Sequence, residues 1–272
     1  MEIKTLEKVS FKAIVECFLA AFSDYFVAMP QETSYYEKRW KAAGVDWKYS
    51  YGAFDQDKLV AFIIHAVDYR QGKKKAYNTG TGVLPSHRGN KLIKRIYQKA
   101  MIDLAKADFN QIELEVIKEN IPALRSYQSI GFEISSSYKC YSGEISLGDI
   151  SEQAFELREI DKGEFDWELS QGKYSWDYQK PSLVSADYKY YYLVVHGKPE
   201  SYFIINATGN IGQFDVLQEN DNAWKRLMKA IASVSNTVKI INVDESNASK
   251  VQILERHNLR NTVDQYEMLL RI

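Results

Sequence analysis

The chain has 272 residues, of which 45% are apolar and 26% charged, so it has the composition of a folded protein and length enough for two domains of ordinary size. Its 35 basic and 36 acidic side chains leave a formal net charge of -1, which excludes a whole-molecule field that would draw nucleic acid or an anionic membrane. The first eight residues contain no apolar signal core, and no apolar run is long enough to span a bilayer, so a cytoplasmic protein without membrane or nucleic-acid partners is expected.

From Ser10, the residues Phe11, Ile14, Val15, Phe18, Leu19 and Phe22 keep one face of a 3.6-residue period apolar, which predicts a helix. A second helix is predicted from Ser34 to Ala43. Three strands follow, Tyr49 to Phe54, Leu59 to Val67 and Ala76 to Val83, separated by turn residues at Asp55-Gln56-Asp57 and Gln71-Gly72 as in an antiparallel meander. The run Lys73-Lys74-Lys75 at the second turn reads as a solvated shoulder. Gly80 and Gly82 inside the third strand mark a bulge or a close approach by a backbone or ligand.

Next come a helix with Leu92, Ile96, Tyr97, Ala100 and Leu104 on one face, a strand over 112–116, a helix from Ile121 to Ile130 closed by Gly131, and a strand from Phe132. The step from Val83 to Leu114 is long enough for a parallel crossover. The fold class is therefore α/β with a mixed sheet. Cys17 falls in a helical apolar pattern and Cys140 near a strand; neither lies in a metal-binding or redox spacing, and both read as buried thiols.

The stretch Val83-Leu84-Pro85-Ser86-His87-Arg88-Gly89-Asn90-Lys91-Leu92-Ile93 ends a strand at a proline, makes a basic turn and enters a helix. Free backbone N-H groups and the positive end of a helix dipole at such a turn can hold a phosphate, with Arg88 and Lys91 adding charge. A second stretch, Asn120 to Phe132, opens and closes the later helix.

Together the two stretches resemble the GNAT family of acyl-CoA-dependent N-acetyltransferases, whose members commonly read V-x-P-x-x-R-G-x-G-x-G/A and, a helix and a strand later, N-x-x-A-x-x-x-Y-x-x-x-G-F. The second pattern is met at Asn120, Ala123, Tyr127, Gly131 and Phe132. The first departs from it at Lys91 and Ile93, where glycine or alanine is usual.

The resemblance implies two GNAT-like domains, each a mixed, mainly antiparallel sheet flanked by helices with a splayed central strand pair. It implies acetyl-CoA as acetyl donor, its arm along Val83 and Leu84 and against Asn120, and its diphosphate on the amides of Arg88, Gly89, Asn90, Lys91, Leu92 and Ile93. It implies direct attack by a primary amine of a small molecule or peptide, with Tyr127 as the acid that meets the leaving thiolate. Asp24 and Tyr25, between the first two helices, fall on the acceptor side. No metal is implied. No carboxylate stands on the strand Ala76 to Gly82 to act as base, and Glu113 and Glu115 read as a solvent-exposed face. That gap, with Lys91 and Ile93, motivates a rival reading as a CoA-binding sensor or scaffold without turnover.

The second half repeats the first. Ile241 to Ala248 aligns with Leu114 to Ile121 at an offset of 127 residues, which carries Asn120 onto Asn247, Tyr127 onto Leu254, Gly131 onto Asn258 and Phe132 onto Leu259. A hairpin around His196 to Pro199, a strand from Gly212 to Leu217 and a helix from Ala223 to Val234 precede that match. The connection Gln218-Glu219-Asn220-Asp221-Asn222 is acidic and lacks Arg-Gly. The division expected is an acetyltransferase domain over 1–145 and a degenerate GNAT-like domain over 146–272 that neither binds CoA nor catalyses. The rings Trp167, Tyr174, Trp176 and Tyr178 of this half are expected in a core.

Overall fold

Ser10 opens helix α1 (Phe11–Ala21) by accepting a hydrogen bond from the Ala13 amide at 3.3 Å, and the apolar stripe read from the sequence buries Ile14, Val15, Cys17, Phe18 and Ala21. The structure, a computed structural model, describes residues 1–147, 154–170 and 172–272. These form two compact units, Met1–Ser135 with Tyr266–Ile272, and Ser136–Gln265.

The first unit runs β1 (Glu2–Thr5), α1, α2 (Thr33–Ala43), β2 (Tyr51–Asp55), β3 (Lys58–Arg70), β4 (Lys73–Val83), α3 (Leu92–Lys106), β5 (Gln111–Ile117) and α4 (Ile121–Ile130). Strands β1 to β4 are antiparallel neighbours, and β4 to β5 is the parallel crossover step made by α3. The four-residue β1 went unread because it is short and only partly buried. Helices α1 and α3 pack on the sheet through Phe18, Leu92, Ile96, Tyr97 and Leu104, all buried in one apolar cluster. Burying each such side chain contributes about 2 kcal/mol.

The second unit holds most of β6 (Glu133–Glu144), then β7 (Glu156–Ile160), α5 (Lys180–Ser185), β8 (Lys189–Val195), β9 (Lys198–Ile205), β10 (Asn210–Val216), α6 (Asp221–Val234), β11 (Thr237–Asp244), α7 (Ala248–Arg256) and the start of β12 (Arg260–Arg271). Its antiparallel meander β7-β8-β9-β10 meets β11 in parallel, repeating the order of the first unit. Trp176 and Tyr178 are buried, as expected of core rings.

The closing strands cross over. Residues of β6 from Tyr138 to Glu144 pair antiparallel with β11, from Asp244 to Thr237, inside the second unit. The end of β12 lies next to β5 inside the first, where Met268 and Leu270 join the core. Dividing the sequence at residue 145 therefore separates Tyr266–Ile272 from the unit in which those residues are packed. Among the described residues, no helix is long and apolar enough to cross a membrane.

Candidate functional site

Strands β4 and β5 pair from Lys75 with Gln111 to Asn78 with Leu114 and part beyond that point. At the parting, the register between β3 and β4 shifts, with Ile64 opposite Gly80 and His65 opposite Asn78, so that Thr79 is the extra residue of a bulge. The two glycines beyond it have packing reasons. A Cβ on Gly82 would lie 2.5 Å from the Phe62 ring and 2.9 Å from the Ala21 side chain, and one on Gly80 would lie 3.0 Å from Phe18.

The basic turn follows. Pro85–His87 form a single 3-10 turn, Gly89 takes φ +82°, and Lys91 caps α3 with φ +54°. The left-handed conformation at Lys91 is the physical reason glycine suits this position, and a lysine there costs about 1–2 kcal/mol. No side chain caps α3, so its first-turn N-H groups receive no side-chain acceptor. Residues 88–91 are exposed and Leu92 is buried. Arg88 does not reach outward: it forms a bidentate ion pair with Asp24, with N to O distances of 2.6 and 2.7 Å. The pair holds the Asp24 carboxyl below the usual carboxylate range and raises Arg88.

The second motif converges on the same parting. Asn120 caps α4, its Oδ1 accepting from the Ala123 amide at 3.2 Å. Gly131 closes α4 at φ +112° and returns its amide to the Tyr127 and Gln128 carbonyls. This geometry packs the Tyr127 ring edge-on against Phe132, with centroids 5.6 Å apart. Burial pushes the Tyr127 hydroxyl pKa up to about 12, opposed by the nearby polar side chains of Thr81 and Asn78. Asn78 also donates to the Tyr97 hydroxyl at 2.6 Å and to Thr81 Oγ1 at 2.5 Å. Burial raises the Tyr25 hydroxyl pKa, and the nearby Asn120 side chain opposes that shift.

Thus Asn120, Tyr127 and Tyr25 share one cluster, while Asp24 and Arg88 meet beside the turn. Sequence reasoning missed Asn78 and Thr81. Their visible signal was the Thr-Gly-Thr-Gly interruption of a strand.

The expectation of a solvated face at Glu113 and of a solvated Lys75 is corrected. Lys75 and Glu113 form an ion pair at 2.9 Å with side chains 6% and 13% exposed. They face each other across the paired part of β4 and β5, where Gln71 and Gln111 add hydrogen bonds. Glu115 is half-buried and accepts a hydrogen bond from Tyr77. Both cysteines are buried free thiols. Among the described residues, no group of three or more His, Cys, Asp or Glu side chains is placed to hold a metal.

Residues 13–132 match the model of the acetyltransferase (GNAT) family. That stretch of the chain is a GNAT domain. No curated protein matches the sequence. Among solved structures, the GNAT fold of this chain is similar to a tandem GNAT protein from the clavulanic acid biosynthesis pathway (TM-score 0.72, 13% identity, 99% of this chain and 98% of that one). It is also similar to GCN5-related N-acetyltransferases from Sphaerobacter thermophilus (0.69, 13%, 99% and 95%) and Anabaena variabilis (0.63, 15%, 98% and 72%).

The corresponding place in the second GNAT-like unit is built differently. Strands β10 and β11 pair only at Asn210 with Lys239 and Ile211 with Ile240, then part around a cleft of about 290 Å³. Lys250 projects from α7 into it, ion-paired to Asp215 at 2.8 Å and packed over the Tyr174 and Phe214 rings. Leu254, in the place of Tyr127, is fully buried. Helix α6 is self-capped: Asn220 accepts from the Ala223 amide at 2.8 Å, and Glu219 and Asp221 flank it.

Proposed function

We propose that the first GNAT unit transfers the acetyl group of acetyl-CoA to a primary amine of a small molecule or peptide. The observation that carries this is the convergence of an uncapped, basic helix N-terminus at α3, the Asn120 cap and the Tyr127 hydroxyl on one parting of parallel strands. These residues fit the cofactor: exposed amides and cations suit a diphosphate, and the edge of β4 that β5 leaves beyond Asn78, reaching Val83, suits an amide-bearing arm, whereas the Leu84 amide and carbonyl are already bonded to Val60 and His87.

Acetyl-CoA supplies an activated thioester carbonyl. The amine nitrogen bonds to that carbon, the carbon-sulfur bond breaks, and the sulfur departs with the electron pair. Holding both reactants in one cleft supplies much of the acceleration. Tyr127 stays protonated across the working pH range, because burial lifts it to about 12. A thiolate with an ordinary thiol pKa of about 8.5 is a weaker base than such a tyrosinate. Tyr127 therefore acts chiefly as a hydrogen-bond donor that stabilises charge developing on sulfur. The attacking amine has an ordinary pKa of about 10.4 and loses its proton to a base or to water before or during attack.

In the second unit, Asn220 already satisfies the α6 amide that an anion would contact, and Lys250, ion-paired to Asp215, lines the parting. That unit is assigned a structural role. The competing reading of the chain, a CoA-binding scaffold without turnover, is favoured by the lack of a carboxylate on β4 from Ala76 to Val83.

Calorimetric titration of acetyl-CoA into wild type and Arg88→Ala/Lys91→Ala tests the assignment. One site per chain, weakened in the variant, is expected. Two sites, or a wild-type affinity untouched by the variant, would refute the placement. Loss of turnover in an amine-acceptor screen with binding intact would favour the scaffold.

A further inference from the structure

Four of the five N-H donors of the Arg88 guanidinium are engaged within the protein. Nη1 and Nη2 donate to the two Asp24 carboxylate oxygens at 2.6 and 2.7 Å, Nη2 also donates to the Ala21 carbonyl at 3.1 Å, and Nε donates to the Val83 carbonyl at 3.4 Å. Asp24 lies in the segment between α1 and α2, 64 residues earlier in the chain, and its side chain is 58% exposed. The adjacent Tyr25 lies near Asn120. One segment thus pairs with Arg88 through Asp24 and places Tyr25 near Asn120, the side chains assigned to opposite ends of the cofactor cleft.

A carboxylate and a phosphate present a guanidinium with the same forked pair of acceptor oxygens. One Arg88 fork cannot be bidentate to both. We propose that Asp24 is a resident anion at the diphosphate site, so that CoA binding transfers Arg88 from the Asp24 carboxylate to a phosphate and releases the segment between α1 and α2.

This rests on the reading of residues 88–93 as the diphosphate site. No bond to carbon is made or broken; one ion pair is exchanged for another. The pair is exposed, and exposed bidentate pairs are worth enough to shift an equilibrium by about two- to five-fold at low salt. Asp24 consequently sets a ceiling on cofactor affinity and ties cofactor entry to movement of the segment beside it.

The test is calorimetric titration of CoA, at low and at high salt, into wild type, Asp24→Asn, Arg88→Ala and the double variant. Asp24 is exposed, so these variants are expected to melt as wild type does. Asp24→Asn should bind CoA about two- to five-fold more tightly at low salt. The gain should shrink at high salt and vanish in the Arg88→Ala background. Unchanged or weaker binding in Asp24→Asn, with wild type binding normally, overturns the exchange. A gain of equal size with Arg88 absent overturns it too, because Asp24 would then act by simple repulsion. Failure of wild type to bind CoA at all would instead refute the reading of the turn, and the exchange with it.

Discussion

The Tyr127 ring packs edge-on against Phe132, with centroids 5.6 Å apart, which sets its hydroxyl near Thr81 at the free end of β4 where that strand has left β5. Removing the hydroxyl leaves the ring packing against Phe132 intact and deletes the donor aimed at the parting. Tyr127→Phe should lower kcat by about 10²- to 10³-fold, the range for loss of a positioned hydrogen-bond donor to developing charge. CoA affinity should stay within about three-fold, since no assigned cofactor contact is lost. Steady-state kinetics beside calorimetry checks both halves of this expectation.

His65 is fully buried on β3, with Nδ1 against the Tyr49 carbonyl at 2.8 Å and Nε2 without a partner among the described residues. Burial lowers its pKa to about 4. The unfolded chain, with an ordinary histidine near 6.5, binds this proton first as pH falls. Stability is therefore full above about pH 6.5 and is lost progressively toward pH 4, by about 3 kcal/mol from this group. Urea denaturation between pH 7 and pH 4 should show that slope, and His65→Gln should flatten it.

Lys75 and Glu113 are buried together across β4 and β5. Removing one partner strands the other charge, so Glu113→Leu should destabilise by about 3 kcal/mol. The double variant Lys75→Met/Glu113→Leu should recover most of that loss, because two apolar side chains of similar volume leave no unpaired charge. A thermal-denaturation double-mutant cycle reads the coupling directly.

At Lys91 two effects oppose each other. Glycine relieves the left-handed strain at φ +54° but gives the unfolded chain more freedom, so Lys91→Gly should stabilise by about 0.5 kcal/mol. It also removes a cation from the turn. CoA should then bind a few-fold more weakly with a smaller dependence on salt. Greater stability paired with lower affinity is the signature to seek in melting and calorimetric data.

Much of this architecture was legible in the chain. The 3.6-residue stripes at Phe11 to Phe22 and at Leu92 to Leu104 became α1 and α3 because a periodic apolar face has one stable outcome, burial against a sheet. Gly131 was readable as the end of α4, since capping is a local property of a few residues. Glu113 was misread: alternation along one strand marks a face but does not say what covers it.

What the sequence by itself determined was the set of local elements, their order, the two motifs and the repeat at 127 residues, all of which depend on neighbours along the chain. What only the tertiary structure decided was which distant groups meet. The bulge at Thr79 brings Asn78 and Thr81 near Tyr127, Asp24 occupies Arg88, Lys250 lines the second parting, and Tyr266–Ile272 packs in the first unit. Strand pairing and side-chain contact are set by long-range packing, in which residues tens or hundreds of positions apart compete for the same partner, and no local pattern records who wins.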